Sequence, residues 1–101
     1  MLESLPALNS KQRQYLKSLA HRRKVIVIIG TRGLTDALEH ELAAALQHHE
    51  LLKVRLPALE KADSVTLIET LCRHLQAMLI QHIGRVVCIY KPSDKPHITL
   101  P

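Results

Sequence analysis

Residues Val25 to Ile29 form an unbroken β-branched run that stops at Gly30-Thr31-Arg32-Gly33 and gives way to a segment of helical period. No other feature restricts the fold so much, because a strand that enters a glycine turn and leaves as a helix is the repeating piece of α/β architecture. A run without polar interruption suits a central strand covered on both faces. Downstream, Thr35 offers an N-cap to a helix from about Asp36 to His48, with Leu38, Leu42, Ala45 and Leu46 recurring on one side. Glycines at such a junction let the backbone come close to a ligand, and the first free N–H groups of the helix favour an anion, most obviously a phosphate. The same G-x-x-G turn can serve only to pack strand on helix, and on the motif alone that plainer role is the commoner one. Asp36 already occupies part of the helix's positive end, so an anion at this turn depends chiefly on Arg32 and the loop N–H groups.

The rest of the chain supplies matching pieces. Leu2 to Leu8 has no clear period, and Pro6 ends any early structure. Asn9 or Ser10 can cap a helix from about Lys11 to His21, which sets Leu8, Tyr15, Leu16 and Leu19 on one side and Arg13, Lys17 and His21 four apart on the other. Most charged stripes are merely solvated; here Arg22, Arg23 and Lys24 carry the same sign on toward the strand with no acid beside them. Leu51 to Leu56 alternates, with Leu52, Val54 and Leu56 on one face and Lys53 and Arg55 on the other, as in a half-exposed strand. After Pro57, Ala58 to Asp63 reads as a loop, and Ser64 caps a third helix to about Met78 with Val65, Ile68, Leu71, Cys72 and Leu75 as its buried stripe. Leu79 to Ile83 and Val86 to Lys91 flank Gly84-Arg85, a glycine-first pair that predicts a type II′ hairpin. The expected order is α-β-α-β-α-β-β, an α/β single domain spanning 1–101 with a mixed four-stranded sheet, a core of about 9–92 and an extended tail over 93–101 that can lay Ile98 and Leu100 on the body.

Composition limits what such a domain does. At 101 residues, 47% hydrophobic and 23% charged, the chain can bury one core. Its longest aliphatic run falls far short of the ~20 residues that span a bilayer. The first eight residues show neither a basic stretch nor an apolar one, so a soluble cytoplasmic protein is expected, with no membrane partner. Cys72 and Cys88 stand apart from any metal-type spacing and read as reduced core thiols, although one disulfide between them stays open. Residues 1–35 hold seven Lys or Arg against Glu3 alone, a net of +6, while the other 66 hold seven against eight acids, a net of −1. Positive charge gathered into one third of a chain is the footprint of a polyanion partner.

Catalytic and cofactor patterns find no support. Gly33 is followed by Leu34-Thr35 rather than Lys-Ser/Thr, so there is no P-loop, and the three-glycine dinucleotide fingerprint is missing. Seven histidines include no H-x-x-x-H pair, and His48 and His49 are adjacent, so surface or satisfied histidines are expected rather than a metal site. No nucleophile motif is present. With two tyrosines and no Phe or Trp, a base-stacking aromatic sheet is ruled out as the main contact, so nucleic acid would be held by phosphate and shape with weak base readout.

Several segments, in order, carry a resemblance to one family. They are Lys11-Gln12-Arg13, Leu16 to His21, Ile29 to Thr35, His48 to Val54, the hairpin from Ile83-Gly84-Arg85 to Ile89-Tyr90-Lys91-Pro92, and the closing Ile98 to Pro101. Together they resemble the CRM domain (chloroplast RNA splicing and ribosome maturation) in its small bacterial single-domain form, the YhbY type. Ser18 stands where a glycine is common there, and Val25 replaces a usual proline.

The resemblance implies a fold similar to the C-terminal domain of translation initiation factor 3, RNA binding through Gly30, Thr31, Arg32 and Gly33, and association with the precursor of the large ribosomal subunit during assembly. Joined to the charge reading, it gives a non-catalytic, monomeric RNA-binding protein that needs no cofactor, metal or small-molecule substrate. Arg13, Lys17, His21, Arg22, Arg23 and Lys24 widen the cationic surface, with Lys53 and Arg55 as additions. The alternative is a protein-interaction module that docks on an acidic ribosomal or regulatory protein, since that partner would seek the same cations.

Overall fold

Asn9 opens the first element with a reciprocal cap: its side-chain oxygen accepts from the Gln12 N–H at 2.8 Å, and the Gln12 side chain accepts from the Asn9 N–H at 3.1 Å. The computed structural model describes residues 7–101, so the reading of Leu2 to Pro6 lies outside the described residues. Helix α1 (Ser10–His21) leads to strand β1 (Val27–Ile28), helix α2 (Asp36–His49), strand β2 (Leu51–Arg55), helix α3 (Lys61–Leu75), and the hairpin of β3 (Met78–Ile83) and β4 (Val86–Tyr90). This is the expected order.

The four strands form one mixed sheet in the order β1-β2-β4-β3, parallel only between β1 and β2. Alternation along each strand divides it into two faces. Val27, Ile29, Leu52, Val54, Leu56, Val87 and Ile89 pack with Leu42 and Leu46 of α2 and Ile68, Leu71 and Leu75 of α3. On the opposite face Leu51, Ile80, Cys88 and Tyr90 pack with Leu16 and Ala20 of α1. One helix therefore covers part of one face and two helices cover the other. The radius of gyration, 12.9 Å, matches the roughly 13 Å of a single domain near 100 residues.

Two expectations are corrected. The Val25 to Ile29 run does not supply a central strand: β1 is a two-residue edge strand, with Val27 and Ile29 buried but Ile26 45% and Ile28 66% exposed. Its β-branched residues favour extended backbone whether or not the second face is covered. The third helix begins at Lys61, not after Ser64, because the Ser64 N–H already donates to the Glu60 carbonyl at 2.9 Å and so lies inside the helix. Asp63 supplies the favourable negative charge of the first turn, and Val65, expected in the buried stripe, is exposed.

Thr35 caps α2 as expected, accepting from the Leu38 N–H at 3.2 Å. Gly84 turns the hairpin with φ 58°, while Arg85 keeps a negative φ, the sign pattern of a type II′ turn. The tail lies on the body, with Ile98 and Leu100 against the α1-side core. Buried Glu50, itself at φ 62°, anchors it by accepting the N–H groups of Ser93, His97 and Ile98 at 2.7, 3.0 and 2.8 Å.

Candidate nucleic-acid interface

The glycine turn closes on one bond, from the Gly33 N–H to the Gly30 carbonyl at 3.0 Å. Gly33 sits at φ 72°, where a side chain is strained, whereas Gly30 has no such conformation. A methyl group added at Gly30 would meet nothing within 4 Å, so nothing in the folded chain demands a glycine there. Thr31 and Arg32 are exposed at the tip. Among the described residues their N–H groups meet no backbone carbonyl, and the Arg32 guanidinium has no hydrogen-bond or ionic partner.

The sheet register sets cations beside this turn. Ile28 pairs with Arg55, and Arg55 with Val86, which pairs in turn with Ile83. In the next row on the same face, Lys53 pairs with Cys88, and Cys88 with Gln81. Leu56 donates its N–H to the Arg85 carbonyl at 2.6 Å, and the Arg85 side chain donates to the Leu56 carbonyl at 3.2 Å, so the hairpin tip stands at the glycine-turn end. Sequence reasoning left Arg85 out of the site. A cation at a hairpin turn carries no signal until the strand order shows which loops are neighbours.

Of the predicted residues, Gly30, Thr31, Arg32, Gly33 and Arg55 meet at this end, while His21, Arg22 and Lys24 are exposed where α1 gives way to β1. Three others have structural duties. The Arg23 guanidinium donates to the carbonyls of His49 at 3.0 Å and Leu51 at 2.7 Å, and the Lys53 ammonium donates to the Arg23 carbonyl at 3.0 Å. Arg13 donates to the Leu79 carbonyl at 3.2 Å, and Lys17, four residues on, is half-buried.

Charge is divided between the two sides of the sheet. Residues 7–30, 51–55 and 78–91, which make up α1, its connection to the turn and the strands, contain ten of the fourteen Lys and Arg and no Asp or Glu. Carboxylates instead crowd α2 and α3, as Asp36, Glu39, Glu41, Asp63 and Glu69. Among the described residues the ion pairs are His74 with Glu39 and His97 with Glu50, so no Lys or Arg is neutralised by a carboxylate.

The other titrating groups belong to the scaffold. Burial alone would raise the Glu50 carboxyl, but the backbone N–H groups of Ser93, Ile98 and His97 outweigh it and hold the group down to about 2. Burial, with electrostatic repulsion from the neighbouring His48, Arg23 and His97, lowers His49. Cys72 is pushed up to about 11 by burial, and Cys88 is raised by burial against the pull of Lys53. Both are free thiols, on opposite faces of the sheet.

The CRS1 / YhbY (CRM) domain model matches residues 8–91 of this sequence. The chain belongs to the CRM family. This CRM domain is 36% identical over 97 residues to an "RNA-binding protein" of Haemophilus influenzae, which covers 96% of this chain and 98% of that one. It is 33% identical over 95 residues to the "Probable RNA-binding protein YqeI" of Bacillus subtilis, with 93% and 99% covered. Among solved structures, the "Solution structure of the hypothetical protein SAV1595 from Staphylococcus aureus, a putative RNA binding protein" superposes with a TM-score of 0.78 at 33% identity, covering 94% of this chain and 100% of that one.

Proposed function

We propose that this protein binds RNA through its cation-rich face, without catalysis, and acts in the cytoplasm as a monomer on the precursor of the large ribosomal subunit to assist its assembly. The observation that carries the RNA reading is the separation of charge: ten Lys and Arg on segments with no acid, none of them in an ion pair among the described residues. Cations whose charge no carboxylate offsets keep their attraction for phosphate, even where a backbone carbonyl takes one of their N–H groups. Family membership and the names of the relatives support the same reading. The ribosomal assignment rests on the family resemblance.

On this reading Arg32, with the free N–H groups of Thr31 and Arg32, grips a phosphate at the turn, and Gly30 leaves the backbone bare on the ligand side. Arg55 and Arg85 extend the grip across the sheet end, and His21, Arg22 and Lys24 continue it along the end of α1. Arg13, Arg23 and Lys53 hold the strands that display these groups, and their remaining N–H donors add to the field.

Filter binding to labelled large-subunit RNA fragments tests the RNA reading: affinity should fall steeply and log-linearly with salt. Salt-insensitive or undetectable binding would refute it. Sedimentation of cell extracts tests the ribosomal reading. The protein should travel with large-subunit precursors and be released by ribonuclease; retention after digestion would point to a protein partner instead.

A further inference from the structure

The open half of the α1-side sheet face holds a cavity of about 220 Å³ between the end of α1 and the strands. Val25, Ile83 and Val86 give it apolar walls, and His21, Lys53 and Gln81 give it polar ones. Buried Cys88 also lines it. Pockets for drug-sized molecules and cofactors start at roughly 300 Å³, so this one has room for a single flat ring.

Its wall chemistry suits a nucleobase. The Gln81 carboxamide is half-buried and makes no hydrogen bond among the described residues, leaving both a donor and an acceptor for a base edge. Lys53 spends one N–H on the Arg23 carbonyl and keeps two. His21 is exposed and can lie against a ring. Exposed Arg22 and Lys24 adjoin the lining residues His21 and Val25 along the chain, and exposed Arg55 and Arg85 adjoin Val86, one by strand pairing and one in sequence, which puts cations at the rim; α1 and the four strands carry no carboxylate. A second copy of the chain would bring like charge to like, and an apolar peptide would leave the rim cations unanswered. An unpaired nucleotide satisfies both parts, its base in the cavity and its flanking phosphates on the rim.

We propose that this cavity takes the base of one unpaired nucleotide, so that the protein prefers RNA with a bulged or single-stranded residue over fully paired RNA. This rests on the RNA-binding reading above and adds a discrimination that phosphate contacts alone cannot supply. Aliphatic walls here replace the aromatic platform whose scarcity implied weak base readout.

The test compares two RNA hairpins with the same number of base pairs, each closed by a non-nucleotide linker so that no loop base is unpaired, one fully paired and one carrying a single bulged nucleotide. The wild-type protein should bind the bulged hairpin about tenfold tighter. The double variant Gln81→Ala, Ile83→Ala should lose that ratio while keeping its affinity for the paired hairpin, whereas Arg55→Ala should weaken both alike. NMR of the wild-type protein supplies a readout free of folding effects: the bulged RNA should shift the Gln81 side-chain amide and the Val86 methyl groups, and the paired RNA should not. Equal binding of both hairpins, with those resonances still, would overturn the cavity's role and leave RNA binding standing. Failure to bind either hairpin would overturn both readings. A dimer broken up by Ile83→Ala would assign the cavity to a second copy instead.

Discussion

Arg23 and Lys53 hold each other's segments in place, the ammonium of Lys53 on the Arg23 carbonyl at 3.0 Å and the guanidinium of Arg23 on the Leu51 carbonyl at 2.7 Å. Hydrogen bonds made by charged donors contribute roughly 1.5–3 kcal/mol, so Arg23→Ala should cost about 2 kcal/mol in chemical denaturation. Arg23→Lys should recover little of it, because an ammonium lacks the fork that reaches the His49 and Leu51 carbonyls together. Arg22→Ala, next door and exposed, should change stability by less than about 0.5 kcal/mol and lower RNA affinity instead.

The two glycines of the turn should separate folding from binding. Gly33→Ala places a side chain at φ 72° and should destabilise by about 1 kcal/mol. Gly30→Ala adds a methyl group in open space without backbone strain, so its melting temperature should stay at or slightly above that of the wild type. Its RNA affinity should nevertheless fall. An unchanged affinity would show that the bare backbone at Gly30 meets no ligand.

Charge reversal at the turn tip should act on binding alone. Arg32→Glu should weaken RNA binding by a few kcal/mol at most with the fold intact, and Arg32→Ala should flatten the slope of log K against log salt by about 0.7–0.9. Lys61→Ala and Arg73→Ala, on the carboxylate-rich helix layer, should leave that slope where it was.

Acid should loosen the C-terminal tail first. The Glu50 carboxyl is held at about 2 in the folded protein against an ordinary value of 4.5, so its contribution is fully present above pH 4.5 and is lost as the pH falls toward 2. The full difference corresponds to about 3 kcal/mol as an order of magnitude. Denaturation between pH 6 and pH 2.5 should show stability dropping through this window, and Glu50→Gln should flatten the drop while lowering stability at neutral pH.

Element order, caps at Asn9 and Thr35, the hairpin at Gly84-Arg85 and the two faces of β2 were all legible in the sequence, because each depends on residues within a few positions of one another. Strand order was not. Five β-branched residues in a row look alike at the centre and at the edge of a sheet, and only the pairing of β2 with β4 puts β1 outside. The start of α3 was missed because Ser64 offers a hydroxyl in a capping position by composition alone, while Glu60 begins the helix with no side-chain cap at all. At the candidate site, charge was readable by counting, but its division was not. That Arg13 and Arg23 are tied to distant carbonyls, that Arg85 stands beside Leu56, and that Gln81 and Val25 share a cavity all depend on contacts more than 25 residues apart.

The separation of cations from carboxylates by the thickness of a sheet also makes the molecule a compass needle. Within about a nanometre of a polyanion, roughly one screening length, it feels a torque as well as a pull, and tumbling is biased before any contact forms. Arrivals with the α2 and α3 layer leading are turned aside, so a larger share of collisions begins with the glycine turn already facing the RNA. Salt should shorten the range of this alignment and slow association more than it speeds release.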